Sequence, residues 1–243
     1  ATIRNEWIPT INSEILALQQ KAALDQIGTI TDPTKLIDSL DAFLTQNGGR
    51  PLDPATEARV FEQLQRAYNA RKKTIPDLTK LLNLLTRWLN SNLLTPPHNE
   101  TIRGEWIPTV TGELNALTLA QAIAAALAQA DYLAKLNALQ TIINTAATYT
   151  IISDDVKAIF FNALVTVFNQ RQQTDAILTA LLNLLNNALR SNMLTDALIG
   201  RVQNEMIPVV TAELASFAVN RDIRAAMAIT DYNAKLDAML AII

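Results

Sequence analysis

No cysteine occurs in the 243 residues, which excludes disulfides, thiol catalysis and thiolate metal sites. One histidine, His98, lies between Pro97 and Asn99 in what reads as a surface turn, with no nucleophile or acid spaced to suggest a triad. Glycine is scarce, at six residues, and no phosphate-cradling loop, nucleophile elbow or calcium loop is present. A net charge of −3 and a pI near 5.2 give no electrostatic reason to expect nucleic acid or an anionic membrane surface. Long apolar runs are missing as well. The longest uncharged stretches, 114–130 and 136–153, carry interior Asn, Gln or Thr and fall short of the ~20 apolar residues of a spanning helix. The expectation is a soluble chain with no transmembrane segment, no cofactor and no basic, apolar leader at Ala1.

What the chain does contain is aliphatic and repetitive. Hydrophobic residues make up 49% but aromatics only 5%, the composition of a helical protein with an aliphatic interior. The run Glu6, Trp7, Ile8, Pro9 returns as Glu105, Trp106, Ile107, Pro108 and as Glu205, Met206, Ile207, Pro208. A glutamate follows each copy at Glu14, Glu113 and Glu213. Lys35-Leu36 returns as Lys135-Leu136 and Lys235-Leu236, each shortly after an aspartate, and Phe61, Asn69 and Arg71 return as Phe161, Asn169 and Arg171. The period is about 100 residues, with units near 1–99 and 100–199 and a partial one over 200–243.

Each unit reads as four helical segments. The first follows the Ile-Pro step, since proline suits a first helical turn, and Asp32, Asp131 and Asp231 are N-cap candidates for the second. A third is expected over 53–73 and 153–173. In the later copy Val156, Ile159, Phe160, Ala163, Leu164, Val167 and Phe168 share a helical face. The fourth, over 77–94 and 175–194, has leucine around more than half its circumference and should be buried deepest. Turns are expected at 46–51 and 96–99. These elements predict an all-α fold, a single tandem array of helical hairpins like an α-solenoid with about ten helices, in which each hairpin buries its apolar face against its neighbours. No tetratricopeptide, ankyrin or HEAT consensus matches residue by residue.

Chemistry finds little purchase. Each repeated glutamate pair is separated by eight residues, about 12 Å of helical rise, too far to share a proton or metal within one copy, and helix-start capping explains them. The basic cluster Arg59, Arg66, Arg71, Lys72 and Lys73 reads as a solvated helix end, because only Arg71 has a basic counterpart in the next copy, Arg171. Charge is uneven, with 21 charged residues over 1–87 and nine over 114–200. That contrast fits a sandwiched middle unit or a weakly charged contact surface.

The function expected is non-enzymatic. Helical-repeat surfaces would meet a protein partner or further copies of the chain, with Met239, Leu240, Ile242, Ile243, Trp7 and Trp106 as candidate contact residues. Catalytic, cofactor and metal residues are not expected. The alternative is a carrier of an apolar small molecule or lipid held between helices, with the small side chains of 116–130 lining the cavity.

Overall fold

A computed structural model describes Arg4 and residues 7–242. Among the described residues the chain is helical, with no strand. It divides into two compact units, 1–117 and 118–243. The dividing point lies inside a helix, while the expected repeat boundaries near 99 and 199 also fall inside helices.

The first unit opens with α1 (Ile8–Gly28), α2 (Pro33–Asn47), α3 (Pro54–Asn69) and α4 (Ile75–Asn90). Capping fixes where they start. Asp32 accepts from the Lys35 N–H, Asp53 from the Ala55 and Thr56 N–H groups, and Thr74 from the Asp77 N–H, each satisfying donors that a helix start leaves unpaired. Gly49 supplies a left-handed φ of 78° in the turn after α2, where only glycine enters without strain. The core is aliphatic as expected. Leu78, Leu81, Leu84, Leu85 and Trp88 of α4 are wholly buried, with Leu36, Leu40, Val60 and Leu64 packed into the same cluster.

At the first Ile-Pro step α1 begins at Ile8 with Pro9 in its first turn, as expected, but the second and third copies depart from expectation. Pro108 does not start a helix, because α5 (Pro96–Thr101), a π-helical turn (Ile102–Trp106) and α6 (Ile107–Leu127) form one continuous helix. Within an α-helix the proline ring would strike the carbonyl four residues earlier. Here the backbone widens just before it, and the Ile107 N–H donates to the Ile102 carbonyl, five residues back. The same solution recurs at Pro208, where the Ile207 N–H donates to Val202. The expected turn at 96–99 is therefore the first turn of α5, with proline at the start where its missing N–H costs nothing. By length and composition this helix contains an 18-residue window, of mean hydropathy 1.2, apolar enough to cross a membrane.

The second unit takes up the end of α6 and continues with α7 (Tyr132–Ala146), α8 (Asp154–Asn169), α9 (Asp175–Leu189), α10 (Asp196–Arg201), a π-helical turn (Val202–Met206), α11 (Ile207–Ala228) and α12 (Tyr232–Leu240). Counting each helix that runs through a π turn as one, the described residues form ten helices. Asp131 and Asp231 cap α7 and α12 as expected. α9 contacts both α7 and α11, and its Leu178, Leu181, Leu184, Leu185 and Ala188 are the most deeply buried face. In α8 Val156, Phe160, Ala163, Leu164 and Val167 are buried as expected, but Phe161 joins them and Ile159 is exposed.

Gly112 lies mid-way along the continuous helix Pro96–Leu127, and a Cβ there would meet nothing within 4 Å. Alanine stands at the aligned position 212. Gly112→Ala is expected to raise stability by about 0.5–1 kcal/mol by narrowing the unfolded ensemble, read as a higher midpoint of urea unfolding.

Candidate interaction surface

In α1, Trp7, Ile8, Ile11, Ile15 and Leu18 recur at helical spacing, which puts them on one face. All five are exposed. The residues aligned with them in α6 are Trp106, Ile107, Val110, Leu114 and Leu117, and these pack into the core of the first unit. The contrast is sharpest at the tryptophans: Trp7 is 59% exposed and Trp106 2%. The α11 counterparts Met206 and Val210 are buried as well.

Trp106 is buried because α3 supplies two rings for it. Its indole stacks between Phe61, at 5.0 Å, and Tyr68, at 5.1 Å. The stack extends at both ends. The His98 ring lies 4.0 Å from Phe61, and the Arg71 guanidinium sits 4.2 Å over Tyr68. A carboxylate closes each end. Glu57 accepts from the Thr95 N–H and hydroxyl and lies 2.8 Å from His98 Nδ1. Glu113 accepts from Arg71 Nε at 2.8 Å and Nη2 at 2.9 Å, with Lys73 Nζ at 3.2 Å. Two-point guanidinium–carboxylate contacts are directional and strong for their kind.

The second unit carries the same node. Arg171 Nε and Nη2 donate to Glu213 at 2.8 and 2.6 Å, and the guanidinium lies 4.2 Å over Phe168. Arg201 lies over Phe161 at 4.8 Å. In both units the arginine and glutamate are 42 residues apart. Glu14 occupies the aligned place on α1, seven residues after Trp7 as Glu113 follows Trp106. It is exposed and has no hydrogen bond or ion pair among the described residues.

A second apolar face lies on α11 and α12. Val219, Met227, Tyr232, Leu236 and Leu240 are exposed there. Their aligned partners in α6 and α7 include Leu119, Tyr132 and Leu136, all buried, and α7 packs against α8 and α9. Tyr232 is 72% exposed and Tyr132 6%, while Leu236 is 45% exposed and Leu136 2%. The Tyr132 hydroxyl donates to the Val167 carbonyl, and burial pushes its pKa up to about 12.

Several expectations about individual residues are thereby placed. Trp7 and Leu240 are exposed, Met239 and Ile242 half-buried, and Ile243 lies outside the described residues, as does Glu6. Trp106 is not a surface residue, since two α3 rings enclose it. His98 is not in a turn but in α5, stacked and paired. Glu113 and Glu213 do not cap helix starts; they hold arginines. In the basic cluster Lys72 and Lys73 are exposed as expected, yet each member also has a partner. Arg59 pairs with Asp25, Lys72 with Asp32, and Arg66 donates to the Gly28 and Ile30 carbonyls, closing the α1–α2 connection onto α3. Two open grooves were missed by sequence reasoning. One of about 520 Å³ between α2 and α4 is lined by Asp38, Asp41, Lys80 and Arg87, and one of about 390 Å³ by Ile27, Ile30, Ala42 and Phe43 among others. Neither is lined by the small-residue run 116–130. No group of three or more histidines and carboxylates among the described residues is placed to hold a metal ion.

The paired glutamates predict acid sensitivity. Hydrogen bonds from Arg71 and Arg171 hold Glu113 and Glu213 below their ordinary value of 4.5, against the opposing effect of burial. For Glu57 burial acts upward most strongly, but Thr95 and His98 together outweigh it and the net direction is down. A carboxylate with a depressed folded pKa stabilises the fold fully above its unfolded value and progressively less as pH falls through the folded one. The unfolding temperature is therefore expected to drop as pH falls below 4.5. A Glu113→Gln, Glu213→Gln variant should show a shallower drop over the same range in calorimetry.

Comparison with protein-family models, with curated proteins and with solved structures finds no match for this chain.

Proposed function

We propose that this chain is a non-enzymatic interaction protein, a tandem array of helical hairpins with a period of about 100 residues, which works by contact through the apolar faces of α1 and of α11–α12. One observation carries the reading. Helix faces that are buried at Trp106 and Tyr132 stand open at the aligned Trp7 and Tyr232, and apolar faces of this kind mark contact sites. The recurring Arg–Glu node and the recurring π turn support the array. Self-association is one mode of such contact. A non-enzymatic role is supported by the glutamates at 113 and 213 being engaged by arginines, and by His98 lying stacked and bonded to Glu57.

The test is the native mass of the purified chain by sedimentation equilibrium over a wide concentration range. Multiples of 26.7 kDa that grow with concentration, and that Leu236→Asp on the α11–α12 face returns to one chain with helix content unchanged, are the expected result. A mass of 26.7 kDa throughout removes self-association.

A further inference from the structure

We infer that the open face of α1 is a docking site for a helical hairpin of another polypeptide, one whose first helix ends in an aromatic-x6-aromatic-x2-arginine series that brings its guanidinium onto Glu14. This rests on the interaction reading above and names the chemistry of the partner. The face is a half-site that the chain completes elsewhere with its own residues. In the first unit the series is Phe61, Tyr68 and Arg71, and it receives Trp106, Val110 and Glu113. In the second it is Phe161, Phe168 and Arg171, and Arg171 engages Glu213 in the same two-point manner with its guanidinium over the Phe168 ring. α1 presents Trp7, Ile11 and Glu14 at the same spacing as Trp106, Val110 and Glu113, but no series faces them.

Three features argue for this occupant. Glu14 sits among apolar residues, so an entirely apolar cover would strand a carboxylate, while a guanidinium would satisfy it. Lysine would not reproduce the two-point contact or the stacking. A second copy has no spare series to offer, since both of its own are engaged in the contacts just described.

The three tryptophans make the test direct, because Trp7 is open while Trp88 and Trp106 are buried. Acrylamide quenching of the chain's emission therefore reports α1. The probe is a synthetic peptide with the sequence of residues 150–199, which carries the series and no tryptophan. The same segment is also joined ahead of Ala1, which continues the repeat register because Gly200 aligns with Ala1.

Severalfold protection of Trp7 is expected in both formats, abolished by Glu14→Lys and weakened by Glu14→Gln, with helix content by circular dichroism unchanged. Quenching in the extended chain equal to that of the parent overturns the proposal. Protection in the extended chain but not with saturating free peptide overturns the assignment to a separate polypeptide. Protection that rises with chain concentration alone assigns the face to a second copy and also overturns it. Because native mass is not the readout, an unchanging mass of the chain and an unprotected Trp7 are separate failures, the first of self-association and the second of this inference.

Discussion

Trp106→Ala is expected to destabilise the protein by about 4 kcal/mol, whereas Trp106→Met is expected to cost about 1 kcal/mol. The alanine leaves a cavity between Phe61 and Tyr68, the two rings that enclose the indole, and the surroundings can close it only partly. It also divides the stack, separating the His98–Phe61 end from the Tyr68–Arg71 end. Methionine fares better because the second unit already buries Met206 at the aligned position, and an unbranched thioether adapts to aromatic walls. Urea unfolding followed by far-ultraviolet circular dichroism measures both. Equal losses for the two variants would show that the first unit's site is shaped for the indole alone.

Arg71→Met is expected to cost about 3 kcal/mol, because it leaves Glu113 in a mostly enclosed place with only the exposed Lys73 for company. Adding Glu113→Leu should recover most of that loss, since replacing both members of an enclosed pair with apolar groups is far milder than orphaning one. The double-mutant cycle should return a coupling of about 2 kcal/mol. Residual exposure of the pair, 14% for Arg71 and 21% for Glu113, keeps these values at the low end of the range for buried ion pairs. Additive losses in the cycle would mean that Glu113 draws its stabilisation from Lys73 or from water.

Local rules located most of the helices from the residues alone. An aspartate before a leucine-rich run marks the starts of α2, α7 and α12, and the density of leucine picks out α4 and α9 as the innermost elements. Rules of that kind failed where a residue's usual role was overridden by its neighbours. Proline most often begins a helix, so the Ile-Pro step reads as a start, and nothing in its immediate sequence announces that a widened turn will carry the helix through. His98 follows two prolines and reads as a turn, although those prolines occupy the start of α5. The ion pairs were out of reach for a different reason. Arg71 and Glu113 meet across 42 residues, and no periodicity within a helix relates them. One signal did exist. Of the basic cluster only Arg71 recurs as arginine, at Arg171, and the glutamates at 113 and 213 recur with it at the same separation. The open face of α1 escaped notice because sequence gives identical patterns to a buried stripe and an uncovered one; only the fate of Trp106 and Val110 shows what Trp7 and Ile11 lack.

The widened turn before each mid-helix proline has a mechanical meaning. It holds one residue more than a regular turn, and one residue in an α-helix corresponds to about 100° of rotation. The segment ahead of it, with His98 at its face toward Glu57, and the segment behind it, with Val110 in the core and Glu113 on Arg71, are thus indexed independently around a shared axis. Deleting Gly104 would restore an unbroken ladder of four-residue bonds up to the proline while turning His98 away from its carboxylate. The joint works as a phase shifter. It lets one end of a rigid rod be re-aimed by single-residue insertion or loss while the other end stays docked, a freedom that a straight helix of the same length does not have.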